Sequence, residues 1–273
     1  MSVLIMIASA SAIIAFVKYG LLKGIDHIAG ALKLSAKARG QITGFATSVP
    51  ELVCLVSAGI AGVWEAGLWN IASSNIINAC LMLAAILYFR QFRELMNRRF
   101  VDEIFFASTA IMVPIVLMIF SMDTHWSLVP LLLGLFVVYQ VVDKLVNRPS
   151  PDNASSDTDE PTGSLPLGVI LGTTALIAIS VAGIFLGDAT AKVVDQMHIQ
   201  PAIAGWILGF VTSIPEMVTF FAVYATARKN GREAELDDTQ EALDNLTGSN
   251  MANVGIVYPV GLLAFLLATK FLS

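Results

Sequence analysis

GFATSVPELV, from Gly44 to Val53, returns as GFVTSIPEMV, from Gly209 to Val218, at an offset of 165 residues. A second pair follows at an offset of 175: Asn70-x-x-Ser73-Ser74-Asn75-Ile76-x-Asn78 answers Asn245-x-x-Gly248-Ser249-Asn250-Met251-x-Asn253. The ten extra residues of the second copy fall between its two motifs, in a charged loop. Self-similarity of this kind marks an internal duplication. Each motif lies inside an apolar run, so the duplicated unit is a pair of helices carrying polar groups where polar groups are costly.

The surroundings set the solvent. Of the 273 residues, 56% are hydrophobic and only 14% charged, against roughly 45 to 50% and about 25% in an average soluble domain. With a mean hydropathy of +0.75, much of the surface must face lipid, and the chain reads as an all-α integral membrane protein. A net charge of -5 offers no basic surface to a phosphate backbone, which argues against a nucleic-acid partner. Cys54 and Cys80 both lie in apolar runs and read as packing residues.

A bilayer core of about 30 Å needs roughly 20 apolar residues per helix. Eight stretches qualify, near Ser2 to Leu22, Gly40 to Gly62, Gly67 to Phe89, Ile104 to Met122, Trp126 to Val146, Leu165 to Gly187, Pro201 to Ala227 and Leu243 to Leu272. The first lacks a charged n-region and a small-residue cleavage site, so it reads as a retained helix, with no soluble domain attached. Loops rich in Lys and Arg stay cytoplasmic. Fourteen of the 16 basic residues fall in loops 1–2, 3–4, 5–6 and 7–8, with Lys192 and Lys270 opposite. This alternation predicts a multi-pass protein of the cell (inner or plasma) membrane with both termini outside.

The acidic, Pro- and Ser-rich stretch 149–164 cannot bury enough apolar area to order itself and reads as a flexible cytoplasmic linker. It divides an N-terminal half, 1–148, holding spans 1 to 5 and the first repeat, 40–89, from a C-terminal half, 165–273, holding spans 6 to 8 and the second repeat, 201–272. The charged segment Arg228 to Asp244 is helically spaced from Arg232 onward and reads as a solvated extension of the eighth span rather than a regulatory cation site. The basic-residue count sends span 2 in from the cytoplasm and span 7 in from outside. The repeats are thus inverted, an architecture common among secondary transporters with discontinuous helices at the midplane.

Each repeat reads as half of a cation site. Glu51 and Glu216 lie mid-span, where an ionised carboxylate needs a compensating cation or proton. Thr47 and Ser48 share a helical face with Glu51, and Thr212 and Ser213 share one with Glu216. Pro50 and Pro215 lack an amide hydrogen and release the carbonyls of Ala46 and Val211 as further oxygen donors. On the following helices Ser74 and Asn78, and Ser249 and Asn253, stand four residues apart at the same expected depth. Interhelical glue is the ordinary role of such residues, but two copies beside two Pro-Glu pairs favour an ion pathway. Oxygen-only ligands suit Ca²⁺, Na⁺ and other hard cations. Gln41, Gln140 and Asp143 lie near span ends and read as structural.

The duplicated T-S-x-P-E and G-S-N-x-x-N motifs resemble the alpha repeats of the calcium/cation antiporter superfamily, which includes sodium/calcium and proton/calcium exchangers. The resemblance covers spans 2, 3, 7 and 8 closely. It implies a sodium/calcium exchanger-like fold in which Glu51 and Glu216 coordinate the divalent cation. Thr47, Ser48, Thr212, Ser213, Ser74, Asn78, Ser249 and Asn253 then line that site or the coupling-ion sites. The chain departs from the pattern at Ala46 and Val211, where relatives carry Gly, at Ser73, which replaces the Gly of G-S-N, and at Asn253, where sodium/calcium exchangers have aspartate.

The expected activity is secondary antiport of Ca²⁺ or a similar divalent cation against Na⁺ or H⁺, with no cofactor, and with spans 1 and 6 as moving gates. The alternative is a transport-deficient scaffold or sensor subunit. A channel fits less well, because two carboxylates hold an ion too firmly for rapid conduction, and no enzyme constellation is present. Without second-half counterparts of spans 4 and 5, spans 7 and 8 are expected to expose an apolar flank, covered in a homodimer or by a small membrane subunit.

Overall fold

The computed structural model describes residues 2–34, 36–146, 163–229 and 236–271. Over these residues the chain is helical, and eight helices are long and apolar enough to cross a membrane. They are span 1 (Leu4–Leu32), span 2 (Ala38–Ile60), span 3 (Trp64–Tyr88), span 4 (Arg98–Ile119), span 5 (Leu128–Val146), span 6 (Leu165–Val193), span 7 (Pro201–Lys229) and span 8 (Leu236–Phe271). The expected linker lies almost wholly outside the described residues.

Several boundaries differ from the sequence reading, span 6 for instance running on as helix over Leu165–Met197, and two of the differences have a local reason. Span 1 does not stop at Leu22: a π-helical turn, Val17–Leu21, widens the helix, which then continues over Leu22–Leu32. Lys18 and Lys23 therefore stand on an exposed helical face rather than in a loop, their ammonium groups 5.4 and 6.0 Å from the Tyr19 ring centre. Span 8 starts at Leu236, so the charged segment does extend it, but from Thr239 onward the extension is largely buried. Thr239, Gln240, Asp244 and Asn245 are all buried. Gln240 is held by span 4 and by its own helix: its Nε2 donates to Glu103 Oε1 and to Asp244 Oδ2 one turn on, both at 2.9 Å, and Arg99 Nε donates to Gln240 Oε1 at 3.0 Å.

Spans 2 and 7 are broken where the duplicated motif falls. The first half of span 2 ends at Thr47 and the second begins at Val49; span 7 breaks between Thr212 and Ile214. Ser48 (φ −81°, ψ −2°) and Ser213 (φ −82°, ψ −3°) form the two hinges. Pro50 and Pro215 cause the breaks, since neither can donate the bond that would continue the helix.

The two repeats interlock. The first half of span 2 lies along the first half of span 8, and the first half of span 7 lies along span 3. Four glycines permit this approach. A Cβ on Gly44 would sit 2.5 Å from Asn245 O and 2.8 Å from Ser249 N, and one on Gly40 would sit 2.6 Å from Glu241 O. Gly205 and Gly209 occupy the matching positions against Ala66, Asn70 and Ser74 of span 3. Small residues four apart are a recurrent means of bringing membrane helices into backbone contact. Around this central group, spans 1 and 6 pair on one flank through Ile13, Val17, Leu21, Ala175 and Ile179. Spans 4 and 5 cover span 8 on another, where Phe106, Leu132 and Tyr139 meet Val254 and Tyr258.

Candidate cation site

The hinges bring the motif residues of both repeats to one place. All ten side chains named as ligands (Thr47, Ser48, Glu51, Ser74, Asn78, Thr212, Ser213, Glu216, Ser249 and Asn253) are buried. They also touch across the repeats. Ser48 Oγ lies 3.1 Å from Ser249 Oγ, which donates to Glu216 Oε1 at 3.0 Å. Thr212 stands beside Glu51 and Thr47 beside Glu216. Among the described residues no Lys, Arg or His pairs with either carboxylate.

The hydroxyl protons of the site are largely spent on helix carbonyls. Thr47 and Ser48 both donate to Gly44 O, at 3.2 and 3.1 Å, and Ser74 to Ile71 O at 3.1 Å, while Thr212 donates to Asn70 Oδ1 at 3.2 Å. What faces inward is then oxygen lone pairs. Both oxygens of Glu51, Oε2 of Glu216, Oδ1 of Asn78 and Oδ1 of Asn253 are buried and accept no hydrogen bond. Leaving so many acceptors dry costs about 1 to 3 kcal/mol each, more for the carboxylates, unless a cation supplies the missing positive charge. Ala46 and Val211, the two carbonyl candidates, sit in the last turn before each hinge, their side chains against the apolar cluster of spans 1 and 6. The amide of Ser213 turns back to Gly209 O at 3.0 Å and also toward Val211 O.

A feature beyond the expected ligand set orients it. Asn78 Nδ2 donates to Asn250 Oδ1 at 3.3 Å, and Asn253 Nδ2 donates to Asn75 Oδ1 at 2.9 Å. Each asparagine that ends a motif is thus tethered by its amide end to the other repeat's central asparagine, leaving its oxygen without a donor. Asn75 and Asn250 are themselves anchored, to Ala110 O and Asn75 O. Reciprocity between Asn75 and Asn250 could have been seen in the sequence, where both stand in the duplicated motif. Replacing Asn250 by Ala frees the Asn78 amide to rotate, and loss of such an outer partner typically lowers metal affinity ten- to a hundredfold. We expect that loss for Asn250→Ala in calorimetric titration with Ca²⁺; unchanged affinity would show that the tether does not set the orientation.

A second polar group lies apart from the site. Carboxylate oxygens of Asp102, Glu103 and Asp143 fall within 4.8 Å of one another, and Gln41 Nε2 donates to Asp143 Oδ2 at 2.8 Å. These residues carry no motif, so nothing in the sequence signalled their meeting.

Two inverted, broken-helix repeats closed around a knot of buried acceptor oxygens are an architecture of secondary transporters. The family model described as sodium/calcium exchanger protein matches residues 2–143 and 167–270, and the chain belongs to that family. Among solved structures, the chain is similar to the sodium-calcium exchanger NCX_Mj soaked with 2.5 mM Na⁺ and 10 mM Sr²⁺, at 23% identity and a TM-score of 0.56, over 97% of this chain and 83% of that one. The same exchanger soaked with 10 mM Na⁺ and zero Ca²⁺ aligns at 22% identity and a TM-score of 0.55, over 97% and 84%. At these identities the likeness shows the fold. No curated protein matches the sequence.

Proposed function

We propose that the protein is a secondary antiporter exchanging Ca²⁺, or a similar divalent cation, for Na⁺ or H⁺ by alternating access at the midplane site. One observation carries the reading: five buried acceptor oxygens from Glu51, Glu216, Asn78 and Asn253, drawn from both repeats, have no donor. Hydroxyl oxygens of Thr47, Ser48, Ser74, Thr212, Ser213 and Ser249 complete a hard-cation ligand set. Net accumulation of ⁴⁵Ca²⁺ in proteoliposomes, driven by an opposed Na⁺ or H⁺ gradient, tests it. A reconstituted protein that binds Ca²⁺ but moves none under either gradient would establish the scaffold or sensor reading instead.

Charge sets the stoichiometry. Asn78 and Asn253 are neutral, so the two carboxylates balance one Ca²⁺ or two monovalent ions. A third Na⁺ would leave an unpaired charge at the bilayer centre, at a cost of at least about 3 kcal/mol. We expect electroneutral exchange, with a divalent flux unmoved by an imposed membrane potential. A flux that rises or reverses with potential at fixed gradients would show that net charge crosses the field.

The face that gathers the basic loops is cytoplasmic in this reading, which puts both termini outside. Ile203, Trp206, Ile207 and Phe210 form an exposed apolar strip on span 7, and we assign it to contact with a second copy or a small membrane subunit. Mass measurement in nanodiscs is expected to give more than one chain; a monomer with intact Ca²⁺ binding would assign the strip to lipid.

A further inference from the structure

Arg39 stands at the mouth of a cavity of about 180 Å³ between spans 1, 2, 7 and 8. Its Nη2 bonds Asp26 Oδ1 at 2.5 Å and its Nε lies 3.4 Å from Glu241 Oε1, so one guanidinium bridges the end of span 1 and the start of span 8. Inward, the cavity narrows to Thr43, Thr219 and Asn245, which are buried. Asn245 Nδ2 donates to Thr219 Oγ1 at 2.5 Å, and Thr219 in turn donates to Glu216 O at 2.8 Å. Asn245 Oδ1, on a side chain 2% exposed, accepts no hydrogen bond. The blind end of the cavity is therefore one hydroxyl away from the backbone of a site glutamate, and it ends in an unused acceptor.

The inverted copy shows what this arrangement is not. Thr43 and Thr219 correspond, at the 165-residue offset, to Leu208 and Cys54. Those two residues lie in the apolar cluster with Ile13, Ile179 and Leu186. In place of an unused oxygen there, Asn70 Oδ1 accepts from Thr212 at 3.2 Å. Related positions are thus sealed with hydrocarbon on one side of the site and lined with oxygen on the other. A cavity rimmed by Asp26, Asp238 and Glu241, lined by three threonines, Thr43, Thr219 and Thr226, and closed by an amide oxygen has the donors of a hard-cation site. The positive group now at its mouth is the chain's own guanidinium.

We propose that this cavity is a second cation site, an antechamber through which a small inorganic cation reaches Glu216 from the basic-loop face, with Arg39 as the tethered charge that an arriving ion displaces. The proposal rests on reading the midplane oxygens as the transport site. Ion pairs at an exposed rim are weak, which suits a group that must be displaced.

Thiol labelling tests it without transport. In the full chain, with Cys54 and Cys80 replaced by Ala, Thr43→Cys is reacted with a cationic and an anionic methanethiosulfonate of similar size; Thr226→Cys, on the same cavity wall, serves if the first variant does not fold. We expect the cationic reagent to react at least tenfold faster, and Arg39→Gln to raise that ratio several-fold further while Arg39→Lys leaves it near its starting value. Millimolar Ca²⁺ should slow the cationic reaction in Arg39→Gln. Equal rates for the two charges, a ratio indifferent to Arg39→Gln, or no protection by Ca²⁺ would overturn the proposal. Should the labelling behave as expected while Glu51→Gln and Glu216→Gln keep full divalent affinity, the antechamber stands and the midplane reading falls.

Discussion

Replacing Glu51 or Glu216 by Gln is expected to weaken divalent binding by at least about a hundredfold. Both side chains are fully buried and no cationic residue compensates them among the described residues, so in the proposed site each supplies half of the charge that holds the cation. Removing one partner of a buried, hydrogen-bonded charge group costs roughly 3 to 5 kcal/mol, and every 1.4 kcal/mol is about a factor of ten. The two variants should also differ in a secondary way. Glu216 Oε1 takes the hydroxyl of Ser249, whereas neither oxygen of Glu51 accepts a hydrogen bond, so Glu51→Gln relieves more uncompensated charge in the ion-free protein. We therefore expect Glu51→Gln to raise the thermal midpoint without Ca²⁺ more than Glu216→Gln, and both to lose the stabilisation that Ca²⁺ confers on the parent. Parental affinity in both variants, measured by titration in detergent, would remove these residues from the site.

A comparable loss is expected from residues that touch no ion. Gly44 and Gly209 lie four residues before Ser48 and Ser213, and their backbones meet Ser249 and Ser74 of the opposing helices. A Cβ at Gly44, 2.5 Å from Asn245 O and 2.8 Å from Ser249 N, meets backbone that cannot rotate away, so span 8 must shift. Gly44→Val and Gly209→Val should each abolish Ca²⁺ binding or prevent recovery of folded protein, because overpacking of one to a few kcal/mol falls on the contact that assembles the ligands. Gly134, where an added Cβ meets nothing within 4 Å, provides the control: Gly134→Ala should fold and bind as the parent does. Full binding in both valine variants would mean that the interlock is looser than its geometry indicates.

Much of the site was legible in the chain because its information is local. Hydroxyl and amide four residues apart, Ser74 with Asn78 and Ser249 with Asn253, fix one face of a helix wherever that helix sits, and proline two residues after Ser48 or Ser213 fixes a break there, across which Thr47 and Thr212 come to stand beside the other repeat's glutamate. Duplication then supplied the second half of the ligand set. The glycine pairs Gly40 and Gly44, Gly205 and Gly209 carry a readable signal as well, a four-residue spacing repeated at the 165-residue offset, with the first member of each pair one helical turn ahead of the duplicated motif.

The start of span 8 was misread for the opposite reason. Hydropathy sums the residues of one segment, and Leu236 to Asn245 is polar by that measure; what buries it is Glu103, Arg99 and the bare backbone of Gly40, all more than a hundred residues away in the chain. The sequence alone determined eight helices, an inverted pair of hinges and the oxygen chemistry between them, since periodicity, charge and proline act within a few residues. Only the tertiary structure decided which helix lies against which, which asparagine orients which, and that the oxygen-lined cavity opens beside Arg39 while its inverted counterpart is filled with hydrocarbon. Those outcomes depend on distances between segments far apart in the chain, and packing free energy is decided across such distances rather than within any one helix.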